Sequence, residues 1–396
     1  MGEEYRAVKR DEMEECLDLW GKVFERVGRD YFVPYFRGDP WFDPDYTRVC
    51  SVDGRVVSAV QVCERKVRVG DAEIVMGGIG NVGTYPEFRG RGYSSHLLRD
   101  SVGVMREHGI DFSVLFTGIH PFYERIGWRS VPQKFMTGGL SADASGGEKS
   151  KYSIRQCDWA SDLAGIERIH DVFNKGRPLT TVRTPEYWKG YALPRFGAPK
   201  FTLVAESDGE VAGYLHFRYD DANCWLREIG CLSGHEGCAA PLMREVFARV
   251  REAGVQTIWV NLPLEPQIVA GMEGVVERLE TREPMGMMCR VINMGSLGER
   301  ILPELNRRAK IGSIPSGSVS LDTEMGSVEL TIQDHQVSLG DQSATRIPIS
   351  QLEFFCLLFG IKSVEELGLS ISEEAREAVS TLFPPQHPVF WLADHF

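Results

Sequence analysis

One stretch constrains the fold more than any other. Ile74-Val75-Met76, the small run Gly77-Gly78-Ile79-Gly80-Asn81 and Val82-Gly83-Thr84 read as a buried strand with close backbone approach. Pro86 ends its ladder, because proline has no N–H to donate. Beyond the turn Arg89-Gly90-Arg91-Gly92, the residues Leu97, Leu98, Val102 and Met105 recur at helical spacing, so the spacing predicts a helix from about Tyr93 to His108. Gly90 and Gly92 let the backbone curl without a Cβ clash. The amides of Arg91 to Ser95 then point at one spot beside the positive helix end, a place suited to a phosphate. A tight connection needing glycine for geometry alone would read the same. The turn is neither a Walker loop nor G-x-G-x-x-G.

A second stretch narrows the reading. Phe112-Ser113-Val114-Leu115-Phe116-Thr117 reads as a buried strand, and His120-Pro121-Phe122-Tyr123-Glu124-Arg125-Ile126-Gly127-Trp128 as a short helix, with Pro121 in its first turn and Gly127 past its end. Taken together, Arg89-x-x-Gly92-x-Ser94 and Phe122-Tyr123-x-x-x-Gly127-Trp128 resemble the pyrophosphate loop and the F-Y-x-x-x-G-F/W helix of the GNAT acetyltransferase superfamily. Ser94 replaces the usual last glycine or alanine. The resemblance implies acetyl-CoA as co-substrate, held by Val82, Gly83, Thr84, Arg89, Gly90, Arg91, Gly92, Tyr93, Ser94 and Ser95. It also makes Tyr123 the acid that protonates the departing thiolate; a half-buried aromatic packing its helix onto the sheet is the other reading of that residue.

The chain's 396 residues exceed one ordinary core, so two or three domains are expected. No window of eighteen apolar residues occurs and the start lacks an apolar signal core, which predicts a cytoplasmic protein with no membrane partner. A net charge of −12 argues against nucleic acid and suits a cationic small substrate. Nine cysteines without a C-x-x-C pair read as reduced, buried thiols. Cys224, Cys231 and Cys238, with His235 nearby, do not match zinc-knuckle spacings, so no metal is expected.

In order, Tyr5 to Val8 reads as a strand and Asp11 as the cap of a helix with Met13, Cys16, Leu17, Trp20, Val23 and Phe24 on one face. Glu25 at its end is a candidate rim for an amine pocket, although a solvated acidic surface fits better. The aromatics Tyr31, Phe32, Tyr35, Phe36, Trp41, Phe42 and Tyr46 suit either a packed lid or a pocket lining, with lining favoured. Hairpins are expected at Asp53-Gly54 and Gly70-Asp71. Residues 1–140 thus follow the GNAT element order, and the soft stretch 141–150 reads as a linker. Residues 152–290 repeat the plan in outline. Where a phosphate loop should sit they read Gly230-Cys231-Leu232-Ser233-Gly234-His235-Glu236-Gly237-Cys238, with a carboxylate that would repel pyrophosphate. That marks a degenerate GNAT-like domain.

Residues 291–396 alternate as strands over Val319–Asp322, Ser327–Ile332 and Gln336–Leu339, with turns at Gly326, Gly340 and Asp341 and helices at 352–359, 364–367 and 373–382. The fold class is α+β: mixed sheets in tandem GNAT-like domains, then an α+β domain similar to the sterol carrier proteins. This arrangement, ending Phe390-Trp391-Leu392-Ala393-Asp394-His395-Phe396, resembles the enhanced intracellular survival (Eis) acetyltransferase family. The resemblance implies N-acetylation of a primary amine, in an aminoglycoside, a polyamine or a lysine-like side chain, by direct transfer in a ternary complex. It places the carboxylate of Phe396 in the first domain's active site, where it helps take the amine's proton. Some members that grip aminoglycosides carry an acidic residue beside the terminal aromatic; His395 stands there instead. Related enzymes form hexamers and smaller assemblies, so a homo-oligomer, trimer or hexamer, is compatible with it. The competing functions are a carrier of a lipid or hydrophobic small molecule, through the last domain, and a non-catalytic acetyl-CoA sensor.

Overall fold

The computed structural model describes residues 2–133, 135–141, 150–263, 265–282, 286–312, 314–340 and 344–396, with only the backbone at 278, 279, 281 and 282. Most of the expected linker, 142–149, and the expected turn residue Asp341 lie outside the described residues. Contacts divide the chain into two units: Met1–Val131 with Met285–Gln386 and Phe396, and Pro132–Pro284 with His387–His395.

Unit one begins with β1 (Glu3–Ala7), α1 (Met13–Val23), α2 (Val33–Arg37), β2 (Thr47–Val52), β3 (Arg55–Val69) and β4 (Ala72–Thr84). Then come α3 (Tyr93–Glu107), β5 (Phe112–Phe116), α4 (His120–Glu124) and β6 (Arg129–Ser130). Asp11 does not cap α1. It lies in a 3-10 turn, and the buried carboxylate of Glu12 takes the Lys9 N–H at 2.9 Å and both arms of Arg6 at 2.7 Å, so Glu12 organises the entry. The expected hairpins form at Asp53-Gly54 and Gly70-Asp71, and the strand pieces between them merge into the fifteen-residue β3. On α3 the predicted face is buried at Leu97, Leu98, Val102 and Met105.

Unit two contains β7 (Phe135–Leu140), β8 (Ser153–Gln156), α5 (Trp159–Asn174), α6 (Pro185–Tyr187), α7 (Leu193–Phe196), β9 (Thr202–Ser207), β10 (Glu210–Tyr219) and β11 (Asn223–Cys231). It continues through α8 (Ala239–Glu252), β12 (Thr257–Val260), α9 (Pro266–Ala270) and β13 (Val276–Arg282). The chain then supplies β14 (Met287–Val291) and α10 (Met294–Gly312) to unit one, followed by β15 (Gly317–Thr323), β16 (Gly326–Gln333), β17 (Gln336–Leu339) and β18 (Thr345–Pro348). The last helices are α11 (Gln351–Leu358), α12 (Val364–Leu367) and α13 (Glu373–Leu382).

The sheets divide the chain differently from the boundaries expected near 140 and 290. Unit one's large sheet runs β1-β2-β3-β4-β5-β14-β6, and unit two's runs β8-β9-β10-β11-β12-β7-β13. In each, the sixth place goes to the strand that follows the other sheet's last strand in sequence. Backbone pairing fixes this: Met287 to Val291 pair with Phe116 to Phe112, and Thr257 to Val260 pair with Gly139 to Met136. Both sheets are mixed, with one parallel pair each, β4 with β5 and β11 with β12.

The third expected region groups with unit one. Its four-stranded sheet runs β17-β16-β15-β18. α10 has no counterpart in the sequence reading, since Gly295, Gly298 and Pro303 interrupt its helical pattern. Gly298 is useful there: a Cβ would stand 3.3 Å from Val328, so its absence brings α10 close to β16. Glu304 of α10 is fully buried and takes the Asp71 N–H at 3.1 Å, closing the β3–β4 turn.

Candidate active site

The site is built on β4. From Met76 to Ile79 this strand has ladders on both sides, pairing with β3 and in parallel with β5. Beyond Ile79, β5 no longer follows it, so among the described residues no strand pairs with the edge from Gly80 to Thr84 on that side. On the β3 side the register steps from Ala59↔Gly83 to Gln61↔Gly80, leaving Asn81 and Val82 opposite Val60. This is a β-bulge, and Asn81 takes a left-handed φ of 54° to make it. The Asn81 amide donates to Gln61 Oε1 at 2.8 Å.

The glycines of β4 have separate tasks. A Cβ on Gly77 would meet Met105, beneath α3, and one on Gly83 would lie 2.8 Å from Leu19 and 2.9 Å from Trp20 of α1. A Cβ on Gly78 would fall on the ring of Phe396, and one on Gly80 would lie 3.1 Å from the Phe396 carboxyl carbon. Two glycines two residues apart share a face. Phe396 lies along that bare face, with its ring 5.7 Å from the ring of Phe116.

Both expected features of the phosphate turn are present. Gly90 and Gly92 have φ of 79° and 84°, in open space, so backbone sign and not crowding requires glycine. Among the described residues no side chain caps α3, and its first internal bond is His96 N–H to Gly92 O at 3.0 Å. The amides of Tyr93, Ser94 and Ser95 therefore lie before the helix's own ladder begins. Arg89 and Arg91 are exposed beside them, Arg89 Nε donating to Thr84 O at 3.3 Å. Ser94 Oγ is 2.7 Å from Thr84 Oγ1, which is 2.7 Å from Ser58 Oγ, a hydroxyl chain tying the helix start to β4 and β3. Tyr93 contributes only its amide, since its side chain is buried and its hydroxyl donates to Glu3 at 2.6 Å.

Tyr123 sits on α4, buried edge-on to Phe122 and Trp128. Burial pushes its phenol up to about 12, the opposite of the downward tuning that easy proton donation would need.

The aromatic loop packs down. Phe32, Tyr35 and Phe36 are buried, Trp20 stacks on Phe36 at 5.4 Å, and only Tyr31 of the expected set is well exposed. Between the rings, Asp39 is buried in an ion pair with Arg65 at 2.8 Å. Gln61 Nε2 donates to Tyr35 O at 3.4 Å, which puts the loop over the face that carries Phe396. Glu25 is not part of the site; it is an exposed partner of Lys22 at 3.0 Å.

Sequence reading missed Cys63, which pairs across the ladder with Gly78 and is buried on the same face. Along the sequence no cysteine stands beside the two motifs, but pairing across the sheet brings Cys63 to the face of β4. It also missed the Asn81–Gln61 pair and Phe116. The spacing of Gly78 and Gly80 was the available signal that something lies along one face of β4.

In unit two the corresponding loop is filled by its own acid. Gly234 N–H donates to Glu236 Oε1 at 2.9 Å, and backbone hydrogen bonds hold that carboxyl below its usual range. Among the described residues no cluster of three or more His, Cys, Asp and Glu side chains could hold a metal ion, and no helix is long and apolar enough to cross a membrane.

The comparisons with known proteins bear on this part of the chain. Residues 4–131 match the family model described as Acetyltransferase (GNAT) domain. Residues 4–131 thus form a GNAT acetyltransferase domain, which makes the chain an acetyltransferase. No curated protein matches the chain in sequence. Among solved structures, it is similar to a conserved protein of unknown function from Enterococcus faecalis V583, a probable N-acyltransferase, with a TM-score of 0.75, 17% identity and 100% of each chain covered. A GCN5-related N-acetyltransferase from Anabaena variabilis gives 0.74, 14% and 100% of each chain. Eis1 from Mycobacterium abscessus gives 0.64, 13% and 100% of each chain. At these identities the likeness is one of fold: mixed α+β with GNAT-like folds in tandem.

Proposed function

We propose that the protein transfers the acetyl group of acetyl-CoA directly to a primary amine, of an aminoglycoside, polyamine or lysine-like acceptor, in a ternary complex. The observation that carries this reading is Phe396 on β4, its carboxyl carbon over Gly80 one residue from the bulge.

The residues present fit acetyl-CoA. The amides of Tyr93, Ser94 and Ser95, the positive end of α3 and the exposed Arg89 and Arg91 suit a pyrophosphate. The β4 edge that β5 leaves beyond Ile79 offers main-chain groups to an extended, amide-bearing arm, as sheets do for added strands. Backbone N–H groups of Val82 to Thr84 would hold the thioester carbonyl and the oxyanion formed on attack.

An acceptor amine near a reference pKa of about 10.4 arrives protonated and must lose that proton before it attacks. The Phe396 carboxylate, at a reference of about 3.5, is a weak base in water, so it holds the ammonium group and passes its proton on through water. Tyr123 stays protonated at every working pH. With its phenol near 12 and a thiol near about 8.5, full donation to a free thiolate is uphill by roughly 5 kcal/mol. Tyr123 therefore works by hydrogen-bonding the departing sulfur, with proton transfer late. Cys63 leaves a second route open in principle, acyl transfer through a thiol; its burial against the strand favours the direct one.

We also place the chain with the Eis-like acetyltransferases, with residues 291–396 as the part similar to sterol carrier proteins. The full-length likeness of fold to Eis1 and the position of Phe396 support this.

The test is coenzyme A release from acetyl-CoA against a panel of aminoglycosides, polyamines and lysine peptides. The intact protein is compared with Tyr123→Phe and with a chain extended past Phe396. Turnover with at least one amine, cut sharply in both variants, is expected. Acetyl-CoA binding without turnover on any acceptor would overturn the reading in favour of a sensor.

A further inference from the structure

Unit two brings two cysteines together that the site described above does not use. Cys231 closes β11 and Cys238 precedes α8, with residues 232–237 forming the turn between them. Their sulfurs lie 3.1 Å apart. Gly213 of β10 makes room for this contact: it pairs with Cys231 in the ladder, and a Cβ there would fall on Cys238 Sγ and lie 3.6 Å from Cys231 Sγ. Cys238 is fully buried and Cys231 is 5% exposed. The turn over them is exposed at Ser233, Gly234, Glu236 and Gly237. Leu232 and His235, from the same turn, line a cleft of about 230 Å³ with Ser207, Asp208, Glu210 and Val211.

We propose that Cys231 and Cys238 form a site of covalent modification, which a low-molecular-weight disulfide converts into an intramolecular disulfide. The sulfurs need to close by only about 1 Å to reach the ~2.05 Å of an S–S bond. One thiolate attacks a sulfur of the small disulfide, whose S–S bond breaks and releases one small thiol. The second cysteine then attacks the mixed disulfide at the protein sulfur, forming the Cys231–Cys238 bond and releasing the second small thiol. The two cysteines lose two electrons and two protons, and the small disulfide gains both as two thiols.

The surroundings set the pace. The hydrogen bond to Cys238, with burial, pushes the Cys231 thiol up, and Glu236 and Glu265 act in the same sense. The attacking thiolate is scarce at neutral pH, so the exchange is slow there and quickens as pH rises. The covalent link would staple the end of β11 to the start of α8 and fix the turn that lines the cleft.

Oxidised glutathione, added to the full-length protein, is the probe. After blocking of free thiols with an alkylating reagent, trypsin releases the peptide from Glu228 to Arg244, which holds both cysteines. The expected product carries no alkyl group, weighs about 2 Da less than the reduced peptide and takes up two alkyl groups only after reduction. In Cys231→Ser and in Cys238→Ala the same peptide should carry one alkyl group or one glutathione. Two findings would overturn the proposal: a doubly alkylated wild-type peptide under conditions that oxidise the denatured protein, or wild-type exchange that stops at the glutathione adduct.

Discussion

Gly78→Ala isolates the seat of Phe396. Position 78 has ordinary extended backbone, so alanine adds no strain there, and its Cβ would land on the Phe396 ring. The ring must leave the strand or tilt off it. Phe396 is half-buried, and burying a whole phenylalanine is worth about 1.5–3 kcal/mol. Half of that, plus about 0.5–1.5 kcal/mol for the ring contact with Phe116, amounts to about 2 kcal/mol. At 1.36 kcal/mol per tenfold, the seated population falls about 30-fold. If the carboxyl group beyond that ring handles the amine's proton, kcat falls by a similar factor and the thermal midpoint drops by the equivalent of the same ~2 kcal/mol, while the KM for acetyl-CoA stays near wild type. Phe396→Ala supplies the control. Alanine removes the whole ring that collides, so Gly78→Ala with Phe396→Ala should be no slower than Phe396→Ala alone, a coupling that a double-mutant cycle measures directly. An unchanged kcat in Gly78→Ala, or losses that simply multiply in the double variant, would refute the reasoning.

Other consequences are equally direct. With the Tyr123 phenol near 12, the acid form persists, and kcat should show no falling limb below pH ~10; a limb centred near 10 that vanishes in Tyr123→Phe would contradict the buried setting. Gly92→Ala forces a side chain into a left-handed turn at about 1–2 kcal/mol, so the KM for acetyl-CoA should rise roughly tenfold with kcat little changed, and kinetics at saturating amine will tell. Arg183 is fully buried between Glu228 and Asp394, gripping each with two bonds of 2.7–2.9 Å. Arg183→Met strands two buried carboxylates, and the thermal midpoint should fall by the equivalent of about 3–5 kcal/mol, whereas a fall under 1 kcal/mol would show that water reaches them. A fragment of residues 1–140 lacks β14, leaving β5 without its outer partner; it should aggregate or lack a cooperative unfolding transition, and a well-folded fragment would show β14 to be dispensable.

The parts of this chain that were legible in sequence are those where local chemistry and tertiary role coincide. The glycine turn ahead of α3 is one: positive-φ glycines, a proline stop and a helical period are all local, and β4 and α3 form where they predict. The strand exchange was not legible. Met287-Met288-Cys289-Arg290-Val291 and Phe135-Met136-Thr137-Gly138-Gly139-Leu140 have the period of half-buried strands, but nothing local says which sheet will take them. Register is a property of pairs. The bulge was hidden for a related reason: Asn81 tolerates a left-handed backbone, yet asparagine after glycine within a strand pattern is no signal until β3 is laid beside it. Cys63 became a site neighbour by the same pairing.

Comparison of the two large sheets separates fold from function. Both have the same strand order, and both send a parallel crossover through a helix, α3 in one and α8 in the other. The helix starts differ in what meets the loop amides. In unit one the side chains turn aside, Ser94 to Thr84 and Tyr93 to Glu3, leaving amides and two exposed arginines for an anion. In unit two the Glu236 carboxylate takes the Gly234 amide, and Cys238 packs inward on Cys231. A carboxylate already held there supplies the negative charge that the loop amides favour and repels any other. Under the function proposed above, the same architecture would keep a phosphate site or give it up according to where a few side chains at one turn are sent, with no change to the sheet beneath.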